Sequence, residues 1–348
     1  MTQQEIYMQR CLQLARAGEG AVAPNPMVGA VLVHEERIIG EGYHRKYGEA
    51  HAEVNCLDSV RDEDKGLISL STLYVSLEPC SHFGKTPPCS DLIIVNGIKK
   101  VVVGCRDPFV KVNGKGIEKL KKAGIEVVVG VCEDQCRDIN KAFFTFHTKH
   151  RPFITLKWAQ SADGFIAGEH GKRVKISNEQ TDRLMHKLRA THSAIVVGTN
   201  TALFDDPELT TRFWTGRNPL RYVLDMNLRL PASLKLFNGD HLTIVFNKTR
   251  EEAHVNLAYQ RIDAAQGTAE QMILRWEQHG IQSVLVEGGA QLLQTFIDKG
   301  LWDEAVVVRN EKLCLGKGIA APTLKNGCLK HSEQFLSDRI EYYTNNNS

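Results

Sequence analysis

Four side chains in the first half of the chain have the types and spacing of a metal site. His51 and Glu53 are separated by one residue, and eight residues lie between Cys80 and Cys89. One imidazole and two thiolates are typical zinc ligands, and a catalytic zinc keeps its fourth position for a water whose pKa falls to roughly 7. The pattern therefore predicts one zinc ion per chain, bound by His51, Cys80 and Cys89, with Glu53 free to carry protons.

The elements predicted around these residues place them at the starts of helices. Residues 51–60 have helical patterning, residues 73–77 read as a strand, and Cys89 opens a helix after Pro-Pro. A helix N-terminus favours a thiolate over a thiol. An isolated H-x-E occurs by chance in many proteins, so the two cysteines carry the argument. His82 could compete as a ligand, but we favour a substrate-facing or loop-stabilising role for it.

The residues that surround the predicted zinc indicate hydrolytic deamination. Zinc deaminases combine H-x-E with P-C and a second cysteine, and their glutamate moves protons without binding the metal. Glu53 would take a proton from the water, pass it to a ring nitrogen and then to the departing ammonia. Glu53 is thus the predicted catalytic residue.

Length and composition limit the remaining possibilities. At 348 residues the chain is longer than the length at which a single hydrophobic core usually stops growing, so two domains are expected. Its 42% hydrophobic and 24% charged residues are typical of packed domains. The formal net charge of +2 gives no global attraction to nucleic acid or membrane. No segment reaches about 18 consecutive apolar residues. Nine cysteines without regular spacing indicate reduced thiols, and we predict a cytoplasmic protein.

Alternating strands and helices predict two α/β domains. In the first, the pattern ends with one long helix over residues 133–149, and Arg151-Pro152 breaks it. We therefore predict a first domain over residues 1–148 and a second over residues 152–343, with a frayed polar tail after it.

Three segments of the first domain resemble the deaminase half of a known bifunctional family. They are Ala23-Pro24-Asn25-Pro26-Met27-Val28-Gly29, His51-Ala52-Glu53 and Glu78-Pro79-Cys80-Ser81-His82-Phe83-Gly84-Lys85-Thr86-Pro87-Pro88-Cys89. The family is that of the riboflavin biosynthesis deaminase/reductases, RibD. The resemblance implies a cytidine-deaminase-like α/β/α fold, and it implies that Asn25 holds the pyrimidine.

The second domain has no G-x-G-x-x-G fingerprint after its first strand, so a scaffold or regulatory role is one interpretation. A Gly-Gly pair at a helix start and nearby cations favour a phosphate-binding site instead. Four segments resemble the RibD reductase, which has a dihydrofolate-reductase-like α/β fold. They are residues 157–164, Leu188-Arg189-Ala190, residues 198–212 and Val286-Glu287-Gly288-Gly289.

The resemblance implies two groups of binding residues in the second domain. Those for NADPH are Ala159, Lys175, Thr201, Asp205, Gly288 and Gly289. Those for the phosphorylated substrate are Lys157, Arg173, Arg189, Leu209, Arg212 and Glu287. Lys175 stands where several family members have Trp beside the nicotinamide.

The resemblance thus implies an enzyme that deaminates 2,5-diamino-6-(5-phosphoribosylamino)pyrimidin-4(3H)-one at a zinc ion and then reduces its ribosyl chain with NADPH. Its partners would be this small molecule and a second copy of the chain, in a dimer or tetramer, but neither nucleic acid nor membrane. One alternative is a nucleoside, tRNA or DNA deaminase with a non-catalytic or regulatory second domain. A metal-stabilised binding or regulatory protein is the other.

Overall fold

The computed structural model describes residues 1–83, 87–110 and 112–347, and the chain divides into two compact units, Met1–His150 and Arg151–Ser348. Within the described residues, no helix is long and apolar enough to cross a membrane. The nine cysteines are all free. Each unit is described separately below.

The first unit is a five-stranded sheet in the order β2-β1-β3-β4-β5, in which β3, β4 and β5 are parallel and β1 is antiparallel to both neighbours. Its strands are β1 Gly29–His34, β2 Arg37–Tyr43, β3 Thr72–Leu77, β4 Lys100–Cys105 and β5 Glu126–Val129. Its helices are α1 Gln3–Arg16, α2 Ala52–Asp58, α3 Cys89–Val95, α4 Lys115–Lys122, α5 Glu133–Asp138 and α6 Lys141–Lys149, with a 3₁₀ helix at Asp62–Leu70.

Helices cover both faces of this sheet because its strands are apolar on both sides. In β4, Val101 and Val103 pack in the cluster that contains α2, α3 and α4. Val102 points the other way and packs against α1 and α6. Side chains of a strand alternate between its faces, so a continuous apolar run requires cover on each side. The predicted α/β/α arrangement is confirmed.

The single helix predicted over residues 133–149 is wrong, because two helices, α5 and α6, occupy this segment. The break lies at Asn140, whose backbone leaves the helical region at φ −111° and ψ 21°. Its side chain accepts a hydrogen bond from the Met27 N–H at 2.7 Å and donates one to the Met27 carbonyl at 2.8 Å. This tertiary contact ends α5 and fixes the turn that leads into β1.

The second unit is built on a ten-stranded sheet in the order β11-β12-β10-β9-β8-β13-β6-β14-β17-β16. The seven neighbouring strands β12, β10, β9, β8, β13, β6 and β14 are parallel. Strands β11, β17 and β16, at the two ends of the sheet, run antiparallel to their neighbours. The strands are β6 Phe153–Ser161, β7 Phe165–Ala167, β8 Ala194–Gly198, β9 Leu220–Leu224, β10 Thr243–Asn247, β11 Glu252–His254, β12 Leu257–Arg261, β13 Ser283–Glu287, β14 Glu304–Asn310, β15 Ile319–Ala320, β16 Gly327–Phe335 and β17 Asp338–Asn345. Strands β7 and β15 form a separate pair.

Four helices pack on this sheet, and the sequence predicted only two of them. They are α7 Glu179–Thr191, α8 Thr199–Asp205, α9 Thr268–Gln278 and α10 Ala290–Asp298; short 3₁₀ helices lie at Glu169–Gly171, Lys235–Phe237 and Ala264–Gln266. Helices α8 and α9 were missed. All four tryptophans of the chain lie in this unit, three of them in its main core cluster.

The C-terminal hairpin corrects the expectation of a frayed tail. Strand β17 pairs with β14 and includes Thr344 and Asn345. The Asn345 side chain is buried and donates a hydrogen bond to the Trp302 carbonyl at 2.9 Å. The chain therefore remains in the sheet beyond residue 343, and β16 forms its outer edge.

Candidate active sites

The predicted zinc ligands of the first unit lie together. His51 is the N-cap residue of α2, Cys80 follows β3, and Cys89 is the first residue of α3. The His51 Nδ1 atom lies 3.6 Å from the Cys80 sulfur and 3.3 Å from the Cys89 sulfur. All three donor atoms lie within 4.8 Å of one another. Residues 84–86, which lie between the two cysteines in the sequence, are outside the described part of the chain.

These distances fit a tetrahedral zinc ion. With bonds of about 2.3 Å to sulfur and about 2.0 Å to nitrogen, a sulfur and a nitrogen ligand lie about 3.5 Å apart. Hydrogen bonds from the Cys89 thiol, from the His51 ring and from the Cys89 N–H lower the pKa of the Cys80 thiol. The donor set can therefore hold zinc, and it supplies three protein ligands.

Glu53 lies in the first turn of α2, two residues after His51, and is 3% exposed. Burial, followed by the charge of Cys80, raises the pKa of the Glu53 carboxyl to about 7. A carboxyl group with such a pKa can both accept and release a proton near neutral pH. A buried carboxyl group with a raised pKa therefore lies beside the predicted ligand cluster.

Asn25 lies at the edge of the same site through a contact with His44. The Asn25 Nδ2 atom is 3.1 Å from His44 Nε2, and His44 Nδ1 is 3.0 Å from the Ala50 carbonyl oxygen. The His44 ring meets the ring of His51 edge-on, with centroids 5.4 Å apart. Burial lowers the pKa of His44. Sequence reasoning missed His44, which has no motif of its own.

Glu78 is a second residue that sequence reasoning missed. It is buried, and its carboxylate accepts hydrogen bonds from the N–H groups of Gly114 and Gly116 at 2.9 Å each and of Ile117 at 3.2 Å. A Cβ atom on Gly116 would lie 2.0 Å from the Pro79 carbonyl oxygen, so only glycine fits there. Glu78 therefore fixes the chain just before Cys80 against the start of α4. A glutamate beside Pro-Cys at a strand end was the available signal.

In the second unit, Arg189 and Glu287 form a buried ion pair. Arg189 Nε donates to one carboxylate oxygen of Glu287 at 3.0 Å and Nη2 donates to the other at 2.6 Å, while Nη1 donates to the Thr210 carbonyl at 3.1 Å. Lys157 lies opposite Glu287 in the β6–β13 pairing. Burial raises the pKa of Glu287, but the charges of Arg189 and Lys157 outweigh it and hold this pKa at about 2. Glu287 is therefore ionised at neutral pH.

Four of the predicted coenzyme residues, Ala159, Thr201, Gly288 and Gly289, lie at the carboxyl ends of three neighbouring strands, where ligands of open α/β sheets commonly bind. Thr201 is in α8 after β8, and Gly288 and Gly289 follow β13. A Cβ on Gly288 would lie 3.1 Å from the Thr201 methyl group, and one on Gly289 would lie 3.3 Å from its hydroxyl. Ala159 lies beyond the last β6–β13 pair, on the side that β13 leaves open.

Two acidic and basic pairs flank this edge. Asp205 lies 3.9 Å from Arg173, and burial raises the pKa of Asp205 while the charges of Arg173 and Lys157 oppose the rise. Lys175 is exposed and lies 3.5 Å from Asp182 in α7. The structure therefore brings Arg173 to a predicted coenzyme residue and Lys175 to a helix.

Leu209 and Arg212 belong to the loop after α8. Leu209 has φ 57° and a side chain that is 1% exposed, so its backbone is the part available for contact with a ligand. Arg212 is partly exposed, 3.7 Å from Glu208, with its guanidinium over the ring of Phe213. A left-handed backbone at a leucine is strained, and such strain is common at binding sites.

Comparison with known proteins matches both units to described families. Residues 1–105 match the model for the cytidine and deoxycytidylate deaminase zinc-binding region, and residues 152–329 match the model for the RibD C-terminal domain. The chain is 41% identical to the riboflavin biosynthesis protein RibD of Aquifex aeolicus over 340 residues, which cover 96% of this chain and 94% of that protein. It is 35% identical to RibD of Escherichia coli over 329 residues, covering 89% and 88% of the two chains.

Solved structures show the same similarity over the whole chain. A diaminohydroxyphosphoribosylaminopyrimidine deaminase/5-amino-6-(5-phosphoribosylamino)uracil reductase from Thermotoga maritima is 36% identical, with a TM-score of 0.90 and 99% of each chain covered. RibD of Acinetobacter baumannii is 32% identical, with a TM-score of 0.89 and 98% of each chain covered. The predicted combination of a deaminase-like and a reductase-like α/β domain is confirmed. The alternative of a nucleoside, tRNA or DNA deaminase with a non-catalytic or regulatory second domain is not favoured.

Proposed function

The chain belongs to the RibD family of riboflavin biosynthesis proteins, and we propose that its two units catalyse consecutive steps on one phosphoribosylated pyrimidine. The first unit is a zinc-dependent deaminase and the second is a reductase. The proposed substrate is 2,5-diamino-6-(5-phosphoribosylamino)pyrimidin-4(3H)-one. The observation that carries the proposal is the His51, Cys80 and Cys89 cluster with Glu53 beside it, on a chain that resembles RibD over its full length.

In the deaminase unit, we assign zinc binding to His51, Cys80 and Cys89. Zinc would make a water molecule acidic enough to add to the carbon that bears the amino group. Glu53 takes a proton from that water, delivers it to the adjacent ring nitrogen and returns a proton to the amine that leaves as ammonia. Asn25 holds the ring. Because Glu53 is buried, bulk water is kept from exchanging protons with it during these transfers.

In the reductase unit, the open strand ends around Thr201, Gly288 and Gly289 are proposed to bind NADPH, together with Ala159, Asp205 and Lys175. NADPH bound at these residues would supply the hydride for reduction at C1 of the open-chain ribosyl group. The helix α10 begins at Ala290, directly after Gly289. Its N-terminus favours the pyrophosphate of the coenzyme electrostatically.

The substrate side of the reductase is assigned to the charged cluster. The Arg189 pair holds the Glu287 carboxylate in one orientation, in which it can accept hydrogen bonds from ribose hydroxyls. Three nitrogens of Arg189 already donate within the protein. Arg212 instead lies 3.7 Å from the Glu208 carboxylate, with its guanidinium over the Phe213 ring. We therefore assign the phosphate group to Arg212, with Lys157, Arg173 and the Leu209 backbone completing the substrate site.

We also propose that the chain works in the cytoplasm as a homo-oligomer. A reducing compartment keeps Cys80 and Cys89 available as zinc ligands. The edge strand β16 is exposed along almost its whole length. Such an edge can pair with a second copy of the chain, and pairing would protect its free N–H and C=O groups.

An assay of the purified chain with the diaminopyrimidine ribotide tests the proposal. We expect ammonia release without NADPH, followed by NADPH oxidation once it is added. Removing the metal with a chelator abolishes ammonia release but leaves reduction of the deaminated uracil ribotide intact. Ammonia from tRNA or single-stranded DNA, with none from the ribotide, would overturn the substrate assignment.

A further inference from the structure

We propose that His44 determines which end of the Asn25 amide faces the substrate, so that the deaminase site presents a hydrogen-bond acceptor and selects a pyrimidine edge that carries an N–H donor. His44 acts as a positioning residue, through Asn25. The inference rests on the proposed function, because it takes Asn25 as the residue that holds the pyrimidine.

The first step is the tautomer of His44, which the Ala50 carbonyl fixes. The Ala50 oxygen can only accept hydrogen bonds, and His44 Nδ1 lies 3.0 Å from it. The Nδ1 atom must therefore carry a proton. The Asn55 side chain donates to the same carbonyl at 3.2 Å and to the Tyr43 carbonyl at 2.8 Å, which holds Ala50 in place. A neutral imidazole protonated on Nδ1 has a lone pair on Nε2.

The second step is the orientation of the Asn25 amide. Since His44 Nε2 accepts, the Asn25 atom 3.1 Å away must be the donor Nδ2. The reversed amide would bring two lone pairs together beside a ring that is 2% exposed, where water cannot replace the lost hydrogen bond. A buried polar group without a partner costs roughly 1–3 kcal/mol. The Oδ1 atom of Asn25 is thus left to meet the ligand as an acceptor.

The third step is the position of this acceptor relative to the reaction. The His44 ring contacts the ring of His51 edge-on, and Asn25 contacts the far nitrogen of the same His44 ring. One histidine side chain therefore separates Asn25 from a proposed zinc ligand. Asn55 ties this network to α2, the helix that also carries Glu53. The element that positions the proton carrier thus also fixes the tautomer that orients the amide.

The chemistry of the ligand follows from the acceptor. A 2,5-diaminopyrimidinone offers ring N–H and exocyclic amino donors, and either kind can donate to Oδ1. A ring that presents only lone pairs at this position would face an acceptor and lose affinity. The same orientation would therefore reject pyrimidines whose edge at Asn25 has no donor.

A double-mutant cycle with His44→Gln and Asn25→Ala tests whether His44 acts through Asn25. Glutamine at position 44 can donate or accept, so it leaves the amide free to turn. We expect His44→Gln to raise the KM for the ribotide roughly 10-fold with a smaller change in kcat, the size expected for one hydrogen bond. In the Asn25→Ala background the same substitution should change KM less than about 2-fold. An equal cost in both backgrounds would show that His44 is only structural.

A second comparison tests the direction of the amide in the His44→Gln background, where the introduced glutamine can donate a hydrogen bond to an oxygen at position 25. Asn25→Asp keeps acceptors on both sides of the group, whereas Asn25→Leu keeps the approximate shape and removes both. We expect the aspartate variant to retain at least 5-fold more kcat/KM than the leucine variant. Equal or greater damage from aspartate would show that Nδ2, not Oδ1, faces the substrate, and would overturn the inference.

Both experiments include a check of the folded state and of the premise. Zinc content and near-ultraviolet circular dichroism of each variant are compared with those of the wild type. If the wild-type chain does not deaminate the ribotide, the proposed function fails before any variant is compared. If it does, the outcomes above bear on His44 and Asn25 alone.

Discussion

The deaminase site and the reductase site differ in how much of each is assembled within the protein itself. In the first unit, His51, Cys80 and Cys89 already lie at metal-ligand spacing, and Glu53 is buried beside them. In the second unit, the charges of Arg189 and Glu287 neutralise each other, and other predicted contacts such as Lys175 are largely exposed. The deaminase site is preformed for chemistry, and the reductase site is shaped for binding.

This difference matches what each reaction needs from the protein. Deamination needs a metal and a proton carrier at fixed positions, so the chain must hold metal-binding side chains and a carboxyl group in place before the substrate binds. In the reduction, NADPH carries the reactive hydride and the protein supplies orientation and charge. Removal of one side chain should therefore cause a large loss of activity in the first site and a smaller loss in the second.

The largest expected effect separates metal binding from proton transfer in the deaminase. Glu53→Gln should lower kcat for deamination by about 10²–10⁴-fold, because it removes a general acid/base. Zinc content, measured by metal analysis, should stay at the wild-type level. The matched control is Glu49→Gln, the same change on an exposed side chain nearby. Loss of zinc together with activity would show that Glu53 is a ligand.

The next effect concerns the stability of the reductase unit. Glu287→Gln should lower its free energy of unfolding by on the order of 3 kcal/mol, because the buried Arg189 loses its charged partner. Tryptophan fluorescence during urea unfolding reports this unit alone, since all four tryptophans lie in it. Glu169→Gln, the same change on an exposed side chain outside the ten-stranded sheet, serves as the control. Equal unfolding curves for the three proteins would show that the ion pair contributes nothing net.

The same ion pair gives a pH dependence of defined sign. The pKa of Glu287 is about 2 in the folded protein, below its ordinary value of 4.5. The stabilisation is therefore complete above about pH 4.5 and is lost as the pH falls from there towards 2. The difference in unfolding free energy between the wild type and Glu287→Gln should shrink over this range. A constant difference would contradict the assignment.

The smallest expected effect concerns substrate binding in the reductase. Arg212→Ala should raise the KM of the reductase roughly 10- to 100-fold, as expected for a charge-assisted phosphate contact, with deamination unchanged. Lys325→Ala removes a positive charge from an exposed pair with Asp298, the last residue of α10, and should leave both activities unaltered. An unchanged KM for Arg212→Ala would place the phosphate elsewhere.

The two sites also differ in how far the sequence could predict them. The predicted zinc ligands and Glu53 lie at the ends of elements that local patterning defines well, so His51 and Cys89 could be placed at helix starts from sequence alone. The residues that contact and position the site could not be predicted from the sequence. The contact between Asn25 and His44 spans 19 positions, and that between Met27 and Asn140 spans 113. No local pattern contains such contacts.

The prediction of secondary structure from the sequence was wrong in places for similar reasons. Helix α8 begins with Thr199, Asn200 and Thr201, which have weak helix propensity, and it forms directly after β8 with the Thr199 hydroxyl donating to the Leu224 carbonyl at 2.7 Å. The tail was expected to fray because its last residues are polar. Its strand is fixed instead by the buried side chain of Asn345.

The residue that opens the second unit is anchored firmly to that unit. Arg151 makes two hydrogen bonds of 2.7 Å to the buried carboxylate of Asp303, and Asp303 also accepts the Ile154 N–H at 2.8 Å. The preceding residue, His150, ends α6 with a left-handed backbone at φ 53°. The junction is thus defined to a single peptide. A gene divided there would encode two separate halves, each with its own assay, and one half could be replaced by a homologous half without altering the interior of the other.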